Sequence, residues 1–476
     1  MRLPEEFITR MKEQMKSSGI TEDGFFESFD TDGLKGIRIN RMKSSEGEYG
    51  KILSTLNENQ KKVDWCDSGF YVSEDVSGNS PYYHGGVFYP QEPSAMLPAQ
   101  VLSAKPGDIV MDLCAAPGGK SCRIAEDLKG EGILIANEIS EPRSKALLRN
   151  VERMGLSNVV ILNEDPINMR KVLPLCADKI IVDAPCSGEG MFRRDPGAVK
   201  SWEKYGPSTC SEIQASILES ADMMLKPGGD LVYSTCTFCE LEDEEQIADF
   251  LSKHPDYTIV AHPEIIGVTH ADSNSKAPGS MRIWPHLSEG DGHFCVHLHK
   301  AEDESFVSEL DVYPKLDKKS SSRNLKEKDS VMEFMSDILS KDALDNFRKN
   351  ILPYLMVNGS HIFIPAMDVR VLRGLKTVKN GLYLGETKST SKGVILIPSH
   401  SLALALDKND IKEESRINFS YDDNSVLRYL KGETLTTDPG RKGNVVITVE
   451  GYPLGFGKRS TDGIIKNLYP KAWRLL

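Results

Sequence analysis

Between residues 109 and 300, short β-branched runs alternate with amphipathic stretches of helical period. That alternation predicts an α/β fold with a central doubly wound, Rossmann-like sheet. The runs fall at 109–113, 132–137, 159–162, 179–182, 230–234, 258–261 and 294–298, with helices expected over 121–128, 143–154, 211–225 and 242–253. Several runs are apolar throughout rather than alternating, as parallel strands covered on both faces require. In the last helix Ile247, Phe250 and Leu251 share one face and acids are expected on the other. Upstream, Phe7, Met11 and Met15 recur at helical spacing after Pro4, and 36–40 and 69–72 read as strands. Downstream, a helical pattern from Val331 precedes strand-like runs at 360–365, 381–384, 393–398 and 444–449. The chain therefore divides into a small α/β module for substrate binding or packing (1–80), a central domain (81–300), a charged linker (301–330), an α+β accessory domain (331–417) and a terminal module (418–476). No repeat recurs at a fixed period.

Composition narrows the setting. A chain of 476 residues suits two to four domains. No apolar run approaches the roughly 20 residues of a membrane span. The opening Met1 to Phe7 places Glu5 and Glu6 where a signal peptide carries cations, so export is not expected. Nine cysteines, several inside apparent strands and helices, suit a reducing cytoplasm better than a disulfide frame. Net charge is −12, which argues against a general nucleic-acid binder, but from Gly440 onward seven Lys/Arg face two acids, a local +5. Tyr452, Phe456, Tyr469 and Trp473 are interleaved there. They suit stacking beside phosphate-binding cations, or else the core of a small β-barrel with ordinary surface lysines.

Two strand ends carry the chemistry. The strand 180–182 stops at Asp183-Ala184-Pro185-Cys186, because proline cannot donate to a ladder, and a Gly-rich loop, Ser187-Gly188-Glu189-Gly190, follows. Strand 230–234 likewise delivers Cys236. Ligands of open α/β sheets sit at such carboxyl ends. Between the first strand and its helix run Cys114, Ala115, Ala116, Pro117, Gly118, Gly119 and Lys120, small residues that let backbone approach a ligand at a helix amino end. This loop is neither the dinucleotide glycine pattern nor a P-loop. Glu138, Asp165 and Asp183 end the next three strands, where they suit ribose hydroxyls, an adenine amino group and the reacting centre. S-adenosyl-L-methionine fits that set best. Cys236 and Cys239 form a C-x-x-C, open to a redox or zinc reading, but no second ligand pair stands at zinc spacing, so no metal is expected.

Taken together, the cofactor loop, Asp183 to Gly190 and Ser234-Thr235-Cys236-Thr237-Phe238 resemble the Sun-type RNA cytosine-5 methyltransferases. Within them the chain is similar to the RsmF-type ribosomal RNA enzymes. Further matches are Gln91 to Met96, Arg282 to His286, Gly290 to Phe294 and Gly451 to Lys458. The resemblance implies residues 114–120, Glu138, Asp165 and Asp183 as cofactor contacts, Cys236 as nucleophile and a PUA-like RNA-binding module at the end. Cytosine C5 is a weak nucleophile until a thiolate adds at C6, which is the reason for the thiol. Asp183 would then hold the N3/N4 edge of the base and Cys186 assist release. The expected partner is RNA, a small-subunit ribosomal RNA or an assembling 30S particle. Competing readings are a methyltransferase of DNA or protein, against which Cys236 speaks, and an inactive RNA-binding assembly factor, against which the intact motifs speak.

Overall fold

The computed structural model describes all residues except 1–2, 59, 74, 75, 77, 308, 309, 315–324, 392 and 476, and of Pro196 the backbone alone. The charged run 317–323, expected as linker, lies outside the described residues.

Behind the helix Glu5–Ser18, strands β1 (Lys35–Ile39), β2 (Gly69–Val72) and β3 (Phe88–Pro90) form an antiparallel sheet in the order β2-β1-β3. This sheet thus reaches beyond residue 80, through a three-residue strand too short to announce itself. The central sheet follows with β4 (Ile109–Asp112), β5 (Ile133–Asn137), β6 (Val159–Leu162), β7 (Ala177–Asp183), β8 (Leu225–Thr235), β9 (Tyr257–Ile259), β10 (Thr269–His270), β11 (Met281–Ile283) and β12 (His293–Lys300). Then come β13 (Met356–Asn358), β14 (His361–Ile364), β15 (Thr377–Asn380), β16 (Leu382–Thr390) and β17 (Gly393–Pro398). The terminal sheet is built of β18 (Arg416–Phe419), β19 (Leu435–Thr436), β20 (Gly443–Val449), β21 (Tyr452–Arg459) and β22 (Ile464–Asn467).

Among the described residues the central sheet runs β10-β11-β12-β8-β7-β4-β5-β6-β15, with β9 on β12. Strands β8, β7, β4, β5 and β6 are parallel, while β12 and β15 join antiparallel. From β4 the chain moves outward through β5 and β6, then returns to place β7 on β4's other side. The switch point lies between β4 and β7, where such sheets bind ligands. Met111, Ile135, Val160, Ile180 and Tyr233 pack on one face, and Val110, Leu134, Ile161, Ile181 and Val232 on the other. Both faces are covered, so alternation is lost from the sequence.

Two placements were hidden in the sequence. β15 lies in the stretch read as the accessory domain, yet it pairs with β6 and covers that edge of the central sheet. The terminal sheet shares a core with the N-terminal one: Ile37, Ile39, Phe70 and Phe88 cluster with Tyr429, Val445, Ile447 and Tyr452. The two ends of the chain therefore pack on each other.

Candidate active site

Register explains why the two thiols meet. β7 and β8 run parallel with Asp183 opposite Ser234, so Cys186 and Cys236 emerge three and two residues beyond a matched pair. Their Sγ atoms lie 3.2 Å apart, and both cysteines are free. The loops carrying them are stapled together. Gly190 N donates to Cys236 O (2.8 Å), the Ser187 and Thr237 hydroxyls pair at 2.8 Å, and Phe238 N donates to Glu189 Oε2 (3.1 Å). A Cβ at Gly190 would lie 3.0 Å from Cys236 O, so the approach of the loops requires glycine there. The adjacent Cys236 sulfur, together with burial, pushes the Cys186 thiol well up and keeps it protonated.

Behind the thiols stand carboxyls to which the sequence pattern assigns no role. Glu189 is fully buried and accepts from Trp202 Nε1 (2.8 Å) and from Arg10. Glu242 accepts from Ser187 N (2.9 Å) and Gln214 Nε2 (3.0 Å), and burial pushes it up to about 7 against those donors. Expected as outward acids of a helix over 242–253, Glu242 and Asp243 are instead fully buried, and the helix begins at Glu244. They turn inward because each answers a buried donor: Ser187 for Glu242, and Thr235 and Arg282 for Asp243. The helix Glu5–Ser18 reaches this half directly, with Gln14 Nε2 donating to Phe238 O (2.7 Å) and Phe7, Phe25 and Phe29 packed against Phe192, Phe238 and Trp284. Cys239, the other member of the C-x-x-C, is buried with its thiol pushed up to about 12 by burial, and Cys236 faces Cys186 instead.

Across the switch point lies the loop 114–120. Its backbone is held by three hydrogen bonds: Ala115 N donates to Asn137 O (2.8 Å), Arg143 Nη2 to Ala116 O (2.7 Å) and Asn150 Nδ2 to Pro117 O (2.8 Å). Gly118 adopts φ +115° to open the helix Gly119–Asp127, and a Cβ at Gly119 would meet the Gln91 carboxamide at 3.0 Å. Burial drives the Cys114 thiol up, so it is a neutral lining group. Lys120 is buried and reaches Asp183 Oδ2 at 2.8 Å, tying the helix start to β7. Burial works to raise the Asp183 carboxyl, but Lys120 and His293 outweigh it and hold it well below the usual range. Ser234 Oγ donates to Asp183 Oδ1 (2.9 Å), and His293 Nε2, 3.6 Å from that oxygen, has no hydrogen-bond partner among the described residues. Asp112, unremarked in the sequence as a titrating group, accepts from Ser121 Oγ (2.6 Å) and is pushed up to about 7 by burial.

Glu138 and Asp165 follow β5 and β6 on the same carboxyl edge. Glu138 is 2% exposed and pairs with Arg143 (3.1 Å) and Ser140 N (2.8 Å). Asp165 is half-buried and caps the helix Pro166–Val172 through Ile167 N (2.9 Å). The donor set fits a methionine-nucleoside cofactor: carboxylates for ribose and ammonium groups, and a Gly-opened helix turn whose first amides lack intrahelical partners for a carboxylate. The terminal aromatics do not form a stacking surface. Tyr452, Phe456 and Tyr469 are 4%, 3% and 1% exposed, and Trp473 is half-buried beneath Arg149 and Arg153. Tyr452 and Tyr469 are core because the terminal sheet has the N-terminal sheet to pack against, and Phe456 because it meets Phe334 in the accessory-domain core.

Comparison with known proteins gives a consistent picture. Residues 99–299 match the family 16S rRNA methyltransferase RsmB/F, and 3–93 match the N-terminal domain of 16S rRNA methyltransferase RsmF. Residues 339–406 match the RsmF rRNA methyltransferase first C-terminal domain, and 416–475 the methyltransferase RsmF PUA domain. Ribosomal RNA small subunit methyltransferase F of Vibrio vulnificus is 30% identical over 98% of this chain and 97% of its own. The protein of that name from Shewanella amazonensis is 29% identical over 99% and 98%. Among solved structures, a methyltransferase homolog protein from Pyrococcus horikoshii is 28% identical with a TM-score of 0.50, covering 58% of this chain and 89% of that one.

Proposed function

This chain belongs to the ribosomal RNA small subunit methyltransferase F family, and from that footing we propose that it forms 5-methylcytosine in small-subunit ribosomal RNA through a covalent adduct on Cys236. The observation that carries the mechanism is the 3.2 Å approach of two thiols at adjacent strand ends. S-adenosyl-L-methionine would be held by residues 114–120, Glu138 and Asp165 and would supply the electrophilic methyl group.

The chain's own residues do the rest. Cys236, as thiolate, adds to C6 of the cytosine, and the electron pair of the C5–C6 bond moves to C5, which becomes nucleophilic. Asp183, kept ionised by Lys120, accepts from the N3/N4 edge and fixes the ring. After C5 has taken its methyl, the C5 proton leaves, the double bond re-forms and the Cys236–C6 bond breaks. Cys186, held protonated 3.2 Å away, passes its proton to the departing sulfur and its thiolate takes the C5 proton, so both sulfurs end as thiols and Cys236 gives its proton to solvent before the next turnover. The base must leave its stack to reach this edge, so single-stranded or opened RNA is the substrate form, alone or within an assembling 30S particle. We assign 418–476 to RNA docking, and the cytoplasm suits nine free thiols. Among the described residues no helix is long and apolar enough to cross a membrane.

Bisulfite mapping of small-subunit ribosomal RNA, with and without the active protein, tests the reading. A cytosine protected only when the protein is present supports it, and an unchanged map overturns it.

A further inference from the structure

A cleft of about 510 Å³ opens between the helix Glu141–Arg153 and β14, β15 and β16, within the range of ligand pockets. Leu148, Leu372, Phe363 and Tyr383 line it. Phe363 and Tyr383 sit opposite each other on antiparallel β14 and β16, so both side chains rise from one face. Lys379 of β15 also lines the cleft. It is 8% exposed, and its Nζ is buried with no hydrogen-bond partner among the described residues. Buried ammonium groups in folded proteins are paired or bonded, so this one marks a missing acceptor. Burial pushes the Lys379 amine down, and Glu152 on the facing helix opposes that only in part, without a hydrogen bond to it.

Position and charge point to the source of that acceptor. β15 starts beside Asn163, whose backbone N donates to Lys376 O (2.9 Å) and whose side chain donates to Glu138 O (2.7 Å). β15 thus links the cleft's Thr377 end to the sheet edge that carries the candidate cofactor acids. Exposed Arg373 and Lys376 flank its lining residues Leu372 and Thr377, Lys376 also donating to Asn163 Oδ1 (2.6 Å) and lying 3.8 Å from Glu141.

Resting on the RNA reading above, we propose that this cleft binds an unstacked nucleotide of the substrate RNA. Its base lies against Phe363 and Tyr383, and a base carbonyl oxygen accepts from Lys379 Nζ. Guanine, cytosine and uracil present such an oxygen and adenine does not. The nucleotide is distinct from the target cytosine and serves to hold the strand.

The test is fluorescence anisotropy of the full chain with a small-subunit ribosomal RNA transcript, run beside a methyl-transfer assay. Lys379→Met should bind the transcript about tenfold more weakly, through loss of a charge-assisted hydrogen bond. Its melting temperature should match or exceed the parent's, since an unpaired buried ammonium is gone. Val369→Glu adds a negative charge at an exposed lining position, 38% accessible, and should weaken RNA binding likewise. Should Lys379→Met melt lower than the parent, Val369→Glu decides. Parental RNA affinity in the folded variant overturns the cleft assignment, while methyl transfer by the parent leaves the functional reading standing. If both variants lose affinity but the parent transfers no methyl group, the cleft stands and the methyl-transfer reading falls.

Discussion

The two halves of the carboxyl edge are built on different plans. On the β4/β5/β6 side, the candidate cofactor groups are held mainly by neighbouring elements: loop 114–120 by Asn137, Arg143 and Asn150, Glu138 by Arg143 and Ser140, and Asp165 by its own helix, with Arg38 of β1 also donating to Gly119 O (3.1 Å). On the β7/β8 side, the thiols depend on distant partners. Arg10 lies 179 residues from Glu189, and Gln14 224 residues from Phe238. The difference predicts that cofactor binding and thiol chemistry are separable in this fold except through Lys120 and Asp183, which join the two halves at 2.8 Å. A lesion in the N-terminal helix should reach the chemistry without touching the cofactor.

The strongest way to break this contrast is Glu189→Ala. It strands Trp202 Nε1, Phe238 N and part of Arg10, and should cost about 3 kcal/mol of stability. Chemical denaturation measures that loss, and calorimetry on the folded variant should return parental cofactor affinity. A comparable loss of cofactor affinity would show that the halves are coupled.

Glu138→Ala is the converse. It should weaken cofactor binding at least tenfold, from hydrogen bonds to a charged acceptor worth about 1.5–3 kcal/mol, with adduct formation on RNA unaffected. Asp165 needs a finer probe, because it is also a helix cap. Asp165→Ala should lose about 1 kcal/mol of stability in addition to affinity, whereas Asp165→Asn keeps the cap and isolates the affinity effect.

A pH series sharpens the picture of the thiol side. Glu242 is pushed from 4.5 to about 7 on folding, so the native state holds its proton more tightly than the unfolded chain. Its contribution is fully present below pH 4.5 and is lost as pH rises through about 7. Glu242→Gln should therefore lose less stability than the parent between pH 5 and 8. Parallel curves would assign the pH dependence elsewhere, Asp112 being the next candidate.

The smallest effect concerns RNA docking. Lys458 and Lys466 are exposed and directly opposed on β21 and β22, an unfavourable pair unless an anion lies over them. Arg459 instead donates to Arg441 O (2.9 Å) and is a weaker candidate. Glu at both lysines should weaken RNA binding and flatten its salt dependence, by about 1 in slope for each phosphate no longer neutralised. An unchanged salt series would remove the terminal sheet from the docking surface.

The sequence was most legible where local pattern and tertiary role agree. The parallel strands, both cysteines and the acids at strand ends could be read because apolar runs stop abruptly at polar, chemically active residues. Glu189 and Glu242 gave no such signal, since a charged residue in a loop or at a helix start reads as solvated until its buried donors are in place. The terminal aromatics stayed open between stacking surface and core for the opposite reason: nothing local reveals that the N-terminal sheet covers Tyr452 and Tyr469 or that Phe334 covers Phe456. β15 is four residues long, and its assignment rests on the exposed edge of β6 rather than on its own pattern.

The central claim is that Cys236 bonds to the base and Cys186 releases it. Denaturing gels of each variant with substrate RNA and cofactor test this directly. Cys186→Ala should give a retarded band of RNA-linked protein, Cys236→Ala none, and the double variant none. An adduct on Cys236→Ala, or normal turnover by Cys186→Ala, would contradict the account.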